Sequence, residues 1–350
     1  MLELWYAITV LMLTAYVVSD GYDFGAGALH TLVARTEAER RQVLSAIGPY
    51  WDGNEVWLVA TGGVLLVAFP RVLSGGISGF YFAIFLVLWC LALRGISIEF
   101  RSHVDSPVWR AGWDFFFTVP SVLLPVFFGA ALGNLLRGLP VDADGWFELT
   151  LFTDFSANDP VGILDWYTIL VGVFALVALA GHGAAYLVWK TDGAVRKRSR
   201  RAGLLLFSAL AALWPVLTIA TQKVNPDFLP SLKARPLAIV LAGFAAAGLV
   251  AAFTGLLRER DLLAFVGSTG FLAGLSSATA ASVFPVMLRA RGAASRSITV
   301  ATGGGDPQGL KTAVVWFAVG FPLVVAYFAI VHWIHRGKVR LADGAGYGSA

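Results

Sequence analysis

PYWDGNEVWLVATGGVLLVAF, residues 49–69, opens with two carboxylates, Asp52 and Glu55, set between Trp51 and Trp57, and then runs to Phe69 without another charge. The way this stretch is read decides the fold. An unbroken apolar run of roughly 20 residues is long enough to cross a bilayer as a helix. It shows no alternation in steps of two, the pattern of a membrane β-barrel strand. A chain in lipid must satisfy its backbone hydrogen bonds internally, so the run is a membrane helix whose mouth carries two acids.

The rest of the chain repeats the pattern. Of its 350 residues, 57% are hydrophobic and only 14% charged, against roughly 45–50% and about 25% in soluble domains. Apolar runs recur at about 2–20, 54–71, 77–97, 115–136, 164–188, 203–221, 236–257, 262–287 and 311–333. Nine such runs predict an all-α polytopic membrane protein with a single transmembrane domain over 1–350. A first helical bundle is expected over about 1–136, an acidic outer loop over about 137–163, further helices over 164–333 and a short tail over 334–350. The first run, with Glu3 and no preceding Lys or Arg, is not expected to be a cleaved signal peptide. A single cysteine, Cys90, excludes an internal disulfide and any multi-cysteine metal site. The net charge of +4 is read here as membrane topology, and no nucleic-acid partner is expected.

Lys and Arg gather in alternate connections. With the N-terminus outside, the inner segments carry Arg35, Arg40 and Arg41, then Arg94, Arg101 and Arg110, then the run KTDGAVRKRSRR at 190–201. They continue with Arg258 and Arg260, and with Arg336, Lys338 and Arg340. The positive-inside rule therefore predicts an outer N-terminus and a cytoplasmic C-terminus, although the 289–311 loop pulls the other way. The 190–201 run reads first as a topology signal at the headgroups, and as a lipid site second.

Ionisable groups within membrane spans are costly and are functional candidates by default. They cluster here. SDGYDFGAG (19–27) is read as closing the first helix with Asp20 and Asp23, and WDGNEV opens the second with Asp52 and Glu55. LRGISIEFRSH (93–103) ends the third with Arg94, Glu99, Arg101 and His103, and WDFFF (113–117) opens the fourth with Asp114. The plainer reading makes Asp52 and Glu55 helix caps and the tryptophans interfacial aromatics. Capping needs one side chain, however, and leaves Asp20 and Asp23 at the wrong end of a helix dipole. The set reads better as a hydrated cluster admitting protons or cations, with Arg94 and Arg101 holding some carboxylates ionised. His182 is read as a helix histidine bonded to a neighbouring backbone or hydroxyl group, with haem ligation the minority alternative. No nucleotide loop, zinc motif or nucleophile elbow occurs, so the chain alone does not read as a complete enzyme.

Several ordered motifs together resemble subunit II of the cytochrome bd quinol oxidases. They are SDGYDFGAG, the Arg40–Leu58 block ending in PYWDGNEVWL, RGISIEFRSH, GNLLRGLP (133–140) and HGAAYLVWKT (182–191). SVFPVMLRA (282–290) is similar to the family's Phe-Pro stretch, and SITVATGGGDPQGLK (297–311) resembles it weakly. The resemblance implies two four-helix bundles plus one peripheral helix. It also implies a heterodimer with a subunit I that holds haems b and d and the quinol site, in a bacterial or archaeal-type cytoplasmic membrane. This chain would carry no haem; it would support the partner and help form a cytoplasmic proton pathway. The WDGN acid corresponds to Asp52, the acid of the RG…(D/E)-x-R motif to Glu99, and the basic residue four positions on to His103. A structural quinone or lipid and a small single-helix third subunit are compatible with the resemblance but not specified by it. The reading from another class is a stand-alone proton- or cation-coupled transporter using the same acids. Transporter sites usually sit near the midplane, whereas these charges are expected at one face.

Overall fold

The computed structural model describes residues 1–339. The expected spans form helices because lipid leaves the backbone no other partner. In chain order these are α1 (Leu2–Val33), α2 (Glu37–Ile47), α3 (Trp51–Ala68), α4 (Pro70–Gly79), α5 (Tyr81–Phe100), α6 (Pro107–Arg137), α7 (Trp166–Lys190) and α8 (Gly193–Val224). They continue with α9 (Phe228–Lys233), α10 (Pro236–Leu257), α11 (Asp261–Val283), α12 (Val300–Gly303) and α13 (Pro307–Ile334). Among the described residues eight helices are long and apolar enough to cross a membrane. The ninth expected span is α3, whose 18 residues cover about 27 Å at 1.5 Å per residue.

Local chemistry sets the ends. Thr36 and Glu39 form a reciprocal capping box on α2, and the Asp165 side chain accepts from the backbone N–H groups of Tyr167 and Thr168 at the start of α7. Pro70, at the first position of α4, separates that helix from α3. Gly138 leaves α6 at φ 100°, a conformation that suits glycine.

The helices sort into two four-helix bundles and one outlier. α1, α3, α5 and α6 pack together, as do α7, α8, α10 and α11, and α1 joins the halves by packing on both α7 and α11. The α1–α7 crossing is glycine against glycine. A Cβ added at Gly25 would lie 2.1 Å from the Leu179 carbonyl oxygen and 2.7 Å from the Gly183 Cα. α13 stands at the periphery, where Trp57 stacks on Phe328 at 5.3 Å and Trp5 meets Phe317 edge-on at 6.0 Å. Leu310 is its one buried residue.

Several boundaries differ from the sequence reading. The first helix runs to Val33 rather than about residue 20, because Asp20 and Asp23 continue the helix instead of ending it. The 203–221 span begins at Gly193, so the basic run forms the first turns of α8. The 54–71 span stops at Ala68, before Pro70. The 262–287 span ends at Val283 and is followed by a small antiparallel pair, β1 (Val286–Leu288) and β2 (Ile298–Thr299), a local departure from an all-α chain. The amphipathic α2 was not foreseen.

The acidic loop between α6 and α7 is pinned from within. The fully buried Arg137 pairs with Asp165 and donates to the Gly162 carbonyl, while Asn134 Nδ2 donates to the Ile163 carbonyl at 2.8 Å. Within the expected tail, Gln42 donates to the Val339 carbonyl, Val339 N–H to the Lys190 carbonyl, and Lys338 pairs with Asp261 and Asp192. Arg340 and the rest of the tail lie outside the described residues.

Candidate functional site

Residues 16, 20, 23, 27 and 30 recur at spacings of four, three, four and three, so they share one face of α1. Tyr16, Asp20, Asp23, Gly27 and His30 are all buried there. The sequence expectation put Asp20 and Asp23 at a helix end; they lie instead in the body of α1, on the face turned to α3, α5 and α6. The dipole argument made for them therefore falls away.

Asp20 has no exposed surface, nor does Arg94, which reaches it from α5 at 2.7 Å. The same Arg94 nitrogen, Nη2, meets Glu55 of α3 at 2.5 Å, and the guanidinium lies 4.5 Å from the Phe24 ring centroid. One cation thus bridges two carboxylates from different helices. Asp23 is held by Asn54, whose Nδ2 donates to Asp23 Oδ2 at 2.7 Å and to the Tyr22 hydroxyl at 2.8 Å. Asp23 Oδ1, Asn54 Oδ1 and the Nε and Nη1 of Arg94 are buried without a protein partner.

Glu55 is the hinge between this interior and the surface. Its side chain is 26% exposed and lines a shallow open groove of ≈ 380 Å³ with Trp51, Asp52, Leu91, Gly95 and Glu99. Asp52 and Glu99 are exposed, and the Trp51 ring closes over Gly95. Three of the expected acids therefore share one groove, and a fourth, Asp20, is reached from it through one arginine. His103 lies beyond the groove lining. It is exposed, its Nδ1 sits 2.9 Å from the Glu99 carbonyl oxygen, and its ring is edge-on to Phe100. Trp57 is not with the acids; it is buried against α13.

Arg101 and Asp114 belong to a separate network. Asp114 accepts from Arg101 Nε at 2.6 Å and Arg40 Nη1 at 2.8 Å, and faces His30 Nε2 at 2.8 Å. Arg101 also makes a two-pronged contact with Glu37 at 2.9 and 2.8 Å, the fork geometry that favours arginine. Burial alone would raise the Glu37 pKa, but hydrogen bonds and charge from Arg101, with help from Arg110 and Arg41, outweigh it and hold Glu37 below the usual range. Burial would likewise lower Arg101, and Glu37 and Asp114 reverse it, raising its pKa above the ordinary value. This network ties α1, α2, α6 and the end of α5 together. Its members pair with one another rather than with the groove acids, so the single cluster expected from sequence is two.

Asn54, His30, Glu37 and Arg40 were not among the sequence candidates. His30 would have been legible from the four-three spacing had α1 been extended past residue 20. Asn54 stood within the quoted motif but carries no charge to mark it. His182 Nδ1 lies 2.7 Å from Ser268 Oγ and Nε2 3.0 Å from the Val18 carbonyl, so both ring nitrogens are taken up by the hydroxyl and backbone contacts foreseen for it. His30 likewise uses Nε2 on Asp114, and Met12 is packed in the apolar core. These residues do not form an axial ligand pair for haem iron.

Two four-helix bundles in lipid, with an arginine and carboxylates buried inside the first and opening to a groove, define a polytopic membrane protein built to hold charge within a span. Comparison with known proteins makes the class specific. The chain belongs to the cytochrome bd terminal oxidase subunit II family, whose sequence profile matches residues 1–335; as a member it is a subunit of an oxidoreductase complex. It is 29% identical to the cytochrome bd-I ubiquinol oxidase subunit 2 of Escherichia coli strain K12, over 97% of this chain and 95% of that one. It is 36% identical to a probable cytochrome oxidase subunit 2 of Haemophilus influenzae, over 60% of this chain and 56% of that one. The fold is similar to that of the bd oxidase from Geobacillus thermodenitrificans, with TM-score 0.74, 18% identity and coverage of 95% and 98%.

Proposed function

We propose that this chain is the subunit of a quinol:oxygen oxidoreductase that carries no haem, supports a haem-bearing subunit I, and conducts protons towards it from the cytoplasm. The observation that carries this reading is the link Glu55–Arg94–Asp20, which joins an acid-lined groove to carboxylates in the bundle interior. Haems b and d, held by the partner, would reduce oxygen to water with electrons from quinol, a reaction that consumes protons.

The parts divide by chemistry. Asp52 and Glu99 collect protons at the groove surface. Glu55 takes them inward, because it alone touches both the groove and Arg94. Arg94 stays charged and carries no proton; it holds Asp20 and Glu55 close together and favours their ionised forms. The unpaired oxygens of Asp23 and Asn54 are the kind of buried polar atoms that internal water bonds. The groove opens between α3 and α5 on a face that also exposes Val59, Phe85, Leu88 and Trp89. Carboxylates do not face lipid tails, so subunit I is expected to seal this face. The alternation of basic connections supports an outer N-terminus and a cytoplasmic C-terminus, which puts the groove on the proton-supplying side.

The test uses the intact oxidase with Asp52→Asn or Glu55→Gln. The reduced-minus-oxidised haem spectrum is expected to stay intact, while quinol-driven oxygen consumption falls at least about 10-fold, since a proton carrier has been removed. Unchanged turnover in both variants, with intact spectra, would leave the acids a structural role only.

A further inference from the structure

The basic run at the start of α8 is two sets of side chains rather than one. Arg196, Arg198 and Arg200 turn inward. Arg196 binds Asp261 at 2.7 Å, Arg198 donates to the Val33 carbonyl and pairs with Glu39, and Arg200 donates to the Leu256 carbonyl at 2.7 Å. Lys197 and Arg201 are exposed, one turn apart on the opposite face, and no acid of the described residues pairs with them. Leu205, a further turn along the same stripe, is 72% exposed.

The contact from Arg200 sets the end of α10 beside the first turns of α8. There Arg258 and Arg260 are also exposed and without an acidic partner among the described residues, next to Leu257 and Leu262, both more than half exposed. A topology signal requires cations at this end; it does not require them to be free of protein partners and set directly above exposed leucines. We infer that Lys197, Arg201, Arg258 and Arg260 form a docking surface for the headgroup of an anionic phospholipid whose acyl chains lie along Leu205, Leu257 and Leu262. Charge complementarity selects the headgroup, and continuity with the apolar stripes of α8 and α10 selects a lipid over a free phosphate. The inference rests on α8 and α10 being membrane helices and is independent of the proton reading.

The experiment takes the purified, delipidated oxidase, adds phosphatidylglycerol or phosphatidylcholine, and reads retained lipid by native mass spectrometry. Each cation at an anionic surface is worth roughly 5-fold in affinity, so Lys197→Gln with Arg201→Gln is expected to weaken phosphatidylglycerol retention roughly 25-fold. Arg258→Gln with Arg260→Gln should act similarly, and Lys223→Gln at the opposite end of α8 should have no effect. Inorganic phosphate should fail to displace the lipid. Equal retention by both paired variants overturns the inference, as does equal retention of phosphatidylcholine by the unaltered complex, or displacement by phosphate. If the paired variants do not assemble, the unaltered complex still decides: phosphatidylglycerol retention must fall with added salt, and salt-independent retention refutes the site.

Discussion

Arg94→Met removes the one cation that faces both Asp20 and Glu55. The two carboxylates respond differently because their surroundings differ. Glu55 is 26% exposed and can turn to the groove water, so its loss of partner costs little, within the about 0–1 kcal/mol of a surface pair. Asp20 has no exposed surface and must either stay ionised without a partner or take up a proton at the cost of folding free energy. Breaking a buried pair from one side costs about 3–5 kcal/mol, which in a chain of this size corresponds to roughly 5–15 °C of thermal midpoint. Adding Asp20→Asn to Arg94→Met removes the uncompensated charge and should return most of that loss. Asp20→Asn alone leaves Arg94 on Glu55 and should cost about 1–3 kcal/mol. The expected signature is a favourable coupling of about 2 kcal/mol or more between the two substitutions. The assay is the thermal inactivation temperature of the purified oxidase, compared at one heating rate because such unfolding is irreversible. Turnover supplies the second readout, since the rescued double variant should be stable and still slow. Additive losses would refute the pairing argument, and full turnover in the double variant would refute a conductive role for Asp20.

Other substitutions follow from the packing and the inner-end network. Gly25→Ala drives a methyl group into the Leu179 carbonyl at 2.1 Å and should cost about 1–3 kcal/mol or more, lowering assembled complex in membranes; Gly62→Ala meets nothing within 4 Å and should be neutral or slightly stabilising. His182→Phe should lower stability by about 1–3 kcal/mol by unpairing Ser268 yet leave every haem band in the spectrum, whereas loss of a band would make His182 a ligand. Glu37 has a folded-state pKa below its unfolded value, so its stabilisation is present above about pH 4.5 and is lost as pH falls through the lower folded value. Acid should therefore lower the thermal midpoint, and Glu37→Gln should flatten that dependence; an equal slope in the variant would remove Glu37 from the account.

The membrane class was legible because hydrophobic length is a one-dimensional property. A helix must be about 20 apolar residues long to cross, wherever its neighbours lie. The acids could also be found from sequence, since charge inside an apolar run is costly and stands out. Which acids belong together could not. Asp20 and Arg94 are 74 residues apart, and Asp114 meets His30 across 84; only the packing of α1 against α5 and α6 brings each pair together. The end of α1 was misplaced for a related reason. Asp and Gly at 20–25 look like a helix stop locally, but Arg94 and Asn54 satisfy the two aspartates and Gly25 lets α7 approach, so tertiary contacts carry the helix on to Val33. The sequence alone settled a nine-span chain with acids at the mouth of a helix. The folded packing decided that Glu55 faces both water and Arg94, that Arg101 and Asp114 serve a separate clamp, and that half of the basic run is left for the membrane, because those outcomes depend on distances between helices that no spacing along the chain encodes.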